Sequence, residues 1–386
     1  MSVPPLPLPQ DSPLESLHGR TVFVTGHTGF KGSWLTIWLR HLGANVIGYG
    51  LPPLHEQGIF RNAEVTSLLS TDHRADIRDY PALSQAIHHA QPDVVFHLAA
   101  QPLVRESYAI PHETHEVNYM GTCNVLEAVR TMQRPCAVVI VTTDKCYENK
   151  EQVWGYREID RLGGHDPYSA SKAAAELLAA SYRESFFPSA RLHEHGVGIA
   201  TARAGNVIGG GDWAKDRIVP DMVRSLVTKN PVRIRSPQSV RPWQHVLEPL
   251  HGYLRIATRL LEMTDPAAAS AWNFGPGVDG HRTVGTLVGL FHELWGDGVW
   301  RPDHLNHPHE TTFLSLAIDK AVNHLDWSPT WDFRTTVTNT VRWYRAQAAG
   351  DTMLTRCHDD IEEFSAAIRG CQARAASPPR VMQHAA

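Results

Sequence analysis

The chain lacks most of the features that would place it in a specialised class. Its five cysteines, at 123, 136, 146, 357 and 371, show none of the paired spacings used for metal or redox chemistry. An odd number in a chain of 386 residues reads as free thiols of a reducing compartment, so a cytoplasmic location is expected. No apolar run approaches the ~20 residues needed to span a bilayer, so no membrane partner is expected. The opening MSVPPLPLPQDSP is broken by proline and has no basic segment ahead of an apolar one, so a secretory signal is not expected either. Neither sign of charge dominates. Acids and bases are interspersed to a net charge of −4, which leaves no footprint for nucleic acid or an anionic surface. What remains, 42% hydrophobic and 20% charged, is an ordinary globular composition. The length suits one large domain or two smaller ones.

Residues 1–18 read as a flexible lead-in. RTVFVTG is a short strand rich in β-branched residues, and a helical pattern from Lys31 to Leu42 follows it directly. ANVIGYG is a second strand, and PDVVFHLAA is another, preceded by a helix expected from Tyr80 to Ala90. A long helix is expected from Pro111, a favoured first-turn residue, to about Met132. After the strand CAVVIVTT, Asp166 and Pro167 read as the N-cap and first residue of a further helix, and VGIATARAGNVIG closes the series. Strands that are apolar throughout, alternating with helices, predict an α/β fold: a doubly wound parallel sheet covered on both faces, over residues 19–205. From 206 to 345 the order is less regular and Pro, Arg and Trp are frequent, which reads as a smaller C-terminal substrate-binding lobe. Residues 346–386 read as a helix and a disordered tail ending in ARAASPPRVMQHAA.

The first chemical signal is VFVTGHTGFKGSW, which sets Gly26, Gly29 and Gly32 between the first strand and the first helix. Gly26 permits a tight turn, Gly29 lets backbone approach a pyrophosphate, and Gly32 allows close helix–strand packing, with the helix N-terminus facing the phosphates. This Rossmann-type turn predicts a dinucleotide, with Thr28, Phe30 and Lys31 beside it. The acid expected about 20 residues later is missing. Tyr49 to Leu51 offer neither acid nor arginine, so NAD and NADP both stay open at that position. Asp76 and Ile77, after a third strand, are candidates for contact with the adenine.

The second signal is DPYSASKAAAE, where Tyr168 and Lys172 lie one turn apart on a predicted helix. A phenol titrates near 10, and an adjacent ammonium is what would bring it toward service as a base.

With these residues in place, the chain resembles the extended short-chain dehydrogenase/reductases that act on nucleotide sugars. TGHTGFKG, HLAAQ, NYMGT, YSASK and HLDWSP carry the likeness, from about residue 19 to 345. TTDKCYEN and RAGNVIGGGDWAKDRIVPD are similar to its 4,6-dehydratase branch, the CDP-glucose subgroup in particular. The resemblance implies an NAD-dependent lyase acting on CDP-glucose, with Leu98, Ala99 and Ala100 along the cofactor and Gln101 near the sugar. It implies that Thr143 binds the 4-hydroxyl and Tyr168 takes its proton while hydride leaves C4. Asp144, protonated, then serves as acid at the C6 hydroxyl. Related dTDP-glucose enzymes place a glutamate next; here Lys145 stands there, and a desolvated lysine can act as the base at C5. Asn206, Trp213, Arg217 and Arg241 are implied for the nucleotide sugar, the arginines because a planar guanidinium matches phosphate. The family also implies a homodimer or homotetramer paired through helices at roughly 112–131 and 168–185. A 4-epimerase, another nucleotide-sugar dehydratase and a non-catalytic dinucleotide sensor are the alternatives. His304, His307 and His309 straddle a proline and match no helix face, so no metal is expected.

Overall fold

Residues 14–263, 265–303 and 313–376 of the computed structural model are described, with side chains to 371. Seven strands lie side by side; the inner ones, rich in Val, Ile and Phe, are apolar on both faces and have to be covered twice, and the edge strand TDHR is polar. They are β1 (Thr21–Thr25), β2 (Asn45–Gly50), β3 (Thr71–Arg74), β4 (Val94–His97), β5 (Cys136–Val141), β6 (Val197–Ala204) and β7 (Ala271–Phe274). Their order is β3-β2-β1-β4-β5-β6-β7, and every pairing is parallel. The chain runs outward from β1 to β3, returns to β4 beside β1, and then runs outward the other way. The direction reverses between β1 and β4, and their carboxyl ends open a crevice there.

Alternate strand residues feed two cores. Val22, Val24, Val94, Phe96 and Val139 pack with α1 (Phe30–His41) and α5 (Leu247–Glu262). Phe23, Val95, Val138 and Ile140 pack on the other face with α2 (Tyr80–Ala90) and α3 (Gly121–Met132). Asp166 accepts from the Ser169 amide and starts α4 (Pro167–Ser185), as its N-cap position predicts.

Four features differ from the sequence reading. The lead-in ends early, since Leu14 and Leu17 are buried in the first core. The helix from Pro111 to Met132 is one rod with a π-helical turn at Glu116–Met120, which widens the backbone and turns Asn118 inward. β7 and α5 both fall after residue 205, so a division there runs across the sheet; β7 has only four residues, too few to show a period. At the far end, Met353–Ala376 forms α6, whose Phe364 packs edge-on to Trp38 and Trp331, so the helix takes in the first residues of the expected tail. The three histidines at 304, 307 and 309 lie outside the described residues.

After β6 the chain adds short ladders. Val207–Ile208 pairs with Gln244–His245, Val240–Pro242 with His281–Thr283, and Val232–Ile234 with Trp300–Pro302. Residues of all three ladders line one side of a cleft, and the sheet's carboxyl ends line the other.

The docking of α5 on β7 is testable at Gly252, where an added Cβ would sit 2.2 Å from the Phe274 ring. Gly252→Ala is expected to cost about 1–3 kcal/mol through overpacking and to lower the thermal midpoint. An unchanged midpoint would show that α5 is not held against β7.

Candidate active site

The crevice is a cleft of about 1150 Å³. Its floor is the glycine turn. Gly26 has φ +72°, and a Cβ on it would lie 2.6 Å from the Ala99 amide nitrogen. A Cβ on Gly32 would lie 2.1 Å from the Gly26 carbonyl, so α1 starts hard against β1 only without side chains at both positions. Gly29 is the N-cap, no side chain caps α1 and its first turn has no acid, so the positive end of the helix faces the cleft. The Thr28 hydroxyl donates to the Leu51 carbonyl at 2.9 Å. Phe30 lines the cleft beside it. Lys31 reaches the Tyr253 hydroxyl at 3.4 Å; burial, aided by Arg217, pulls its pKa down to about 7.

Behind the turn lies a lock that the sequence reading missed. Thr25 Oγ1 meets His97 Nδ1 at 2.7 Å and accepts from the amides of Leu98 and Ala99, and His97 Nε2 meets Thr122 Oγ1 at 3.0 Å. Burial pushes His97 down to about 3, so it is a neutral strut. The H of HLAAQ was the available clue. Ala100 follows on the cleft wall. At the far end Ile77 is buried against Gly121, and Arg78 holds the Asp76 carboxylate at 2.7 Å, below its usual range.

At the centre, β5 ends and the backbone tightens into a single turn at Asp144–Cys146. Thr143 Oγ1 accepts from the Lys145 amide and donates to Asp144 Oδ1 at 3.0 Å. Asp144 Oδ2 is buried with no partner among the described residues, and Gly205 leaves it room, since a Cβ there would sit 3.0 Å away. Burial raises the Asp144 carboxyl above the usual range, against Lys145, the Thr143 hydroxyl and Arg241. The desolvation expected of Lys145 is partial, for the residue is only half-buried.

Tyr168 lies over this turn, its amide donating to Ser107 Oγ at 3.2 Å. The expected lowering of its pKa by Lys172 is not what the structure shows. Burial dominates and pushes the phenol up to about 12, with Thr143 and Arg217 as partial offsets. Lys172 Nζ donates instead to the Val141 carbonyl at 3.0 Å, and burial brings it down to about 8. Asn118, from the π-helical turn, donates to Ser171 Oγ at 2.8 Å and to the Gln101 carbonyl, tying α4 to the loop after β4.

The outer wall carries Asn206, Trp213, Arg217 and Arg241. Arg217 pairs with Asp212 at 2.8 Å, and Trp213 lies edge-on to Tyr344. Gln101 is the exception among the expected site residues, since it does not line the cleft. Its side chain is taken up by the Leu103 backbone and by Thr114 Oγ1 at 2.9 Å. No group of three or more potential metal ligands occurs among the described residues.

A family model described as GDP-mannose 4,6 dehydratase matches residues 23–259. The chain belongs to the GDP-mannose 4,6-dehydratase family. Within the curated relatives of this dehydratase family, the chain is 49% identical over 351 residues to the CDP-glucose 4,6-dehydratase of Salmonella typhimurium, which covers 90% of this chain and 97% of that one. A dTDP-glucose 4,6-dehydratase of Streptomyces antibioticus is 29% identical over 280 residues, 72% of this chain and 76% of that one. Among solved structures, the dTDP-glucose 4,6-dehydratase of Streptomyces venezuelae with NAD and TYD bound is similar at TM-score 0.72 and 23% identity, covering 86% and 99% of the two chains. The UDP-glucose 4-epimerase of Thermotoga maritima gives TM-score 0.70 at 21% identity over 85% of this chain and 99% of that one. These likenesses to solved structures show the fold, and it is the Rossmann-type sheet that the strand pattern predicts.

Replacing Asn118 in this dehydratase-family chain tests the tie between the π-helical turn and α4. Asn118→Ala leaves the Gln101 amide and carbonyl without their partner and Ser171 with only the Tyr168 carbonyl, which is expected to cost about 1–3 kcal/mol in urea unfolding. A cost near zero would leave the tie without energetic weight.

Proposed function

We propose that this chain is a CDP-glucose 4,6-dehydratase: it oxidises C4 of the hexose, removes water across C5 and C6, and releases a 4-keto-6-deoxy sugar nucleotide. The observation that carries the reading is the meeting of Thr143, Asp144, Lys145 and Tyr168 at one cleft, in a chain 49% identical to a curated enzyme of that activity. The residues also fit a dinucleotide. The uncapped start of α1 and the side-chain-free cradle at Gly26 and Gly32 suit a pyrophosphate, and Ile77, Leu98 and Ala99 offer an apolar wall. When bound, NAD accepts the hydride from C4 and returns it to C6, so no external reductant is consumed.

The chain's own residues move the protons. Thr143 holds the 4-hydroxyl and Tyr168 receives its proton as the phenolate, a form that burial disfavours and that the Thr143 hydroxyl and Arg217 favour. The 4-ketone makes the C5 proton removable, because the resulting carbanion is an enolate. Lys145, as the free amine, takes that proton and gives one back to C5 when hydride returns to C6. Asp144, kept protonated by burial, gives one to the departing C6 hydroxyl. Arg217 and Arg241 hold the diphosphate, and residues 206–345 supply most of the sugar-nucleotide side. A 4-epimerase of this fold uses Thr143, Tyr168 and Lys172 but has no task for an acid and a base after the threonine.

Two copies pair through the long helix and α4. Tyr119, Met120, Leu177 and Phe186 are exposed apolar residues on or next to those helices, which supports a homodimer or homotetramer. Five free cysteines accord with a cytoplasmic setting. Among the described residues no helix is long and apolar enough to cross a membrane.

Incubation of the purified protein with CDP-, dTDP-, UDP- and GDP-hexoses is expected to yield a 4-keto-6-deoxy product from CDP-glucose. Turnover of only another nucleotide would sink the substrate assignment, and a 4-epimer would sink the reaction.

The steps separate by mutation. Lys145→Ala is expected to spare nicotinamide reduction in single turnover yet suppress solvent deuterium entry at C5. Tyr168→Phe is expected to suppress the reduction itself. Each loss should be about 10²–10⁴-fold. Wild-type exchange at C5 in Lys145→Ala would remove the lysine from the base role.

A further inference from the structure

Glu176 stands one turn beyond Lys172 on α4 and is almost wholly buried, with none of the proton-moving steps above using it. Its two oxygens are fully engaged. Oε1 accepts from the hydroxyl of Thr142, and Oε2 accepts from Thr201 Oγ1 and from Arg203 Nη2, both at 2.7 Å. Arg203, also buried, goes on to the Tyr147 hydroxyl at 2.6 Å, which donates to Asn273 Oδ1 at 2.8 Å. Since Lys172 Nζ donates to the Val141 carbonyl, α4 grips consecutive residues, 141 and 142, just before Thr143 and Asp144.

We propose that Glu176 is a positioning residue that fixes the end of β5 through Thr142 and keeps Lys172 charged while that lysine is buried. The proposal rests on the dehydratase reading for its consequence but not for its geometry. A buried ammonium needs a compensating charge near it. Lys172 is faced by Cys146 from the turn after β5, by His97 from β4, by Lys31 from α1 and by Glu176 on its own helix. Burial keeps Cys146 a thiol and His97 neutral, and Lys31 can only repel, so Glu176 supplies the negative charge. Glu176 in turn faces Arg203 from β6 and Arg183 on α4. Against its own burial, Arg203 and the two threonine hydroxyls hold its carboxyl below the usual range.

The sign is set by this arrangement. Without the carboxylate, Lys172 loses its proton at lower pH. In protein labelled with ¹³Cε-lysine and saturated with NAD, the Lys172 resonance, assigned by its loss in Lys172→Arg, is titrated in wild type and in Glu176→Gln. The midpoint is expected to move to lower pH, with the proton dissociation constant larger by about tenfold or more. Should Glu176→Gln fail to fold with Arg203 unpaired, the double variant Glu176→Gln/Arg203→Met leaves no unpaired guanidinium on β6 and should show a displacement in the same direction. The alkaline limb of single-turnover nicotinamide reduction by CDP-glucose should move with it. A rate loss with midpoint and limb unmoved would make Glu176 merely structural and overturn the proposal. Absence of any product from wild type would sink the dehydratase reading alone, because the titration does not depend on the substrate.

Discussion

Helix α4 holds the carboxyl end of β5 at two consecutive residues, and the shape of the cleft follows from that hold. Without it, an apolar strand entering a polar turn would leave the Val141 carbonyl and the Thr142 hydroxyl to water. With it, Thr143 and Asp144 are presented at a set height beneath Tyr168. The same helix is tied at its start to Ser107 and through Ser171 to Asn118, so three separate segments agree on where it sits. The π-helical turn has its reason here, since an unbroken α-helix would rotate Asn118 off this line.

Burial sets the charge states within the cleft. It raises Asp144 and Tyr168 and lowers Lys31 and Lys172, in each case by disfavouring the charged form. Among the residues that line the cleft, nine Lys and Arg stand against eight Asp and Glu, and burial disfavours the charge on Asp144. A surplus of cation in a low-dielectric crevice suits a ligand carrying a diphosphate. The buried ion pair of Glu176 with Arg203 at 2.7 Å lies behind the turn and not in the cleft, so it can bias Lys172 without meeting substrate.

Legibility divided by range. The glycine turn, the Tyr168–Lys172 pair and the acid and ammonium after Thr143 are local in sequence. Each is confined to a few residues whose conformation is set by a strand end, a helix turn or missing side chains. Five of the seven strands were readable for the same reason, being apolar runs bounded by turns, and the polar β3 only from its place ahead of Asp76. β7 was not, because four residues between prolines and loops carry no period; only its pairing with β6 makes it a strand. Gln101, placed near the sugar by the family resemblance, does not line the cleft, because Leu103 and Thr114 claim its amide.

By itself the sequence determined the alternation of strands and helices, the turn that starts α1, and which residue types would share the cleft. Those follow from periodicity, glycine stereochemistry, spacing along one helix and, for the strand-end and nucleotide-sugar residues, the family resemblance. Tertiary structure decided how they are charged and what holds them. That Tyr168 is pushed up and not down, that Lys172 turns to a backbone carbonyl, and that Glu176 answers to Arg203 from another strand all depend on burial and on partners 27 to 34 residues away. Desolvation is a property of the packed volume around a group, and no stretch of chain encodes it alone.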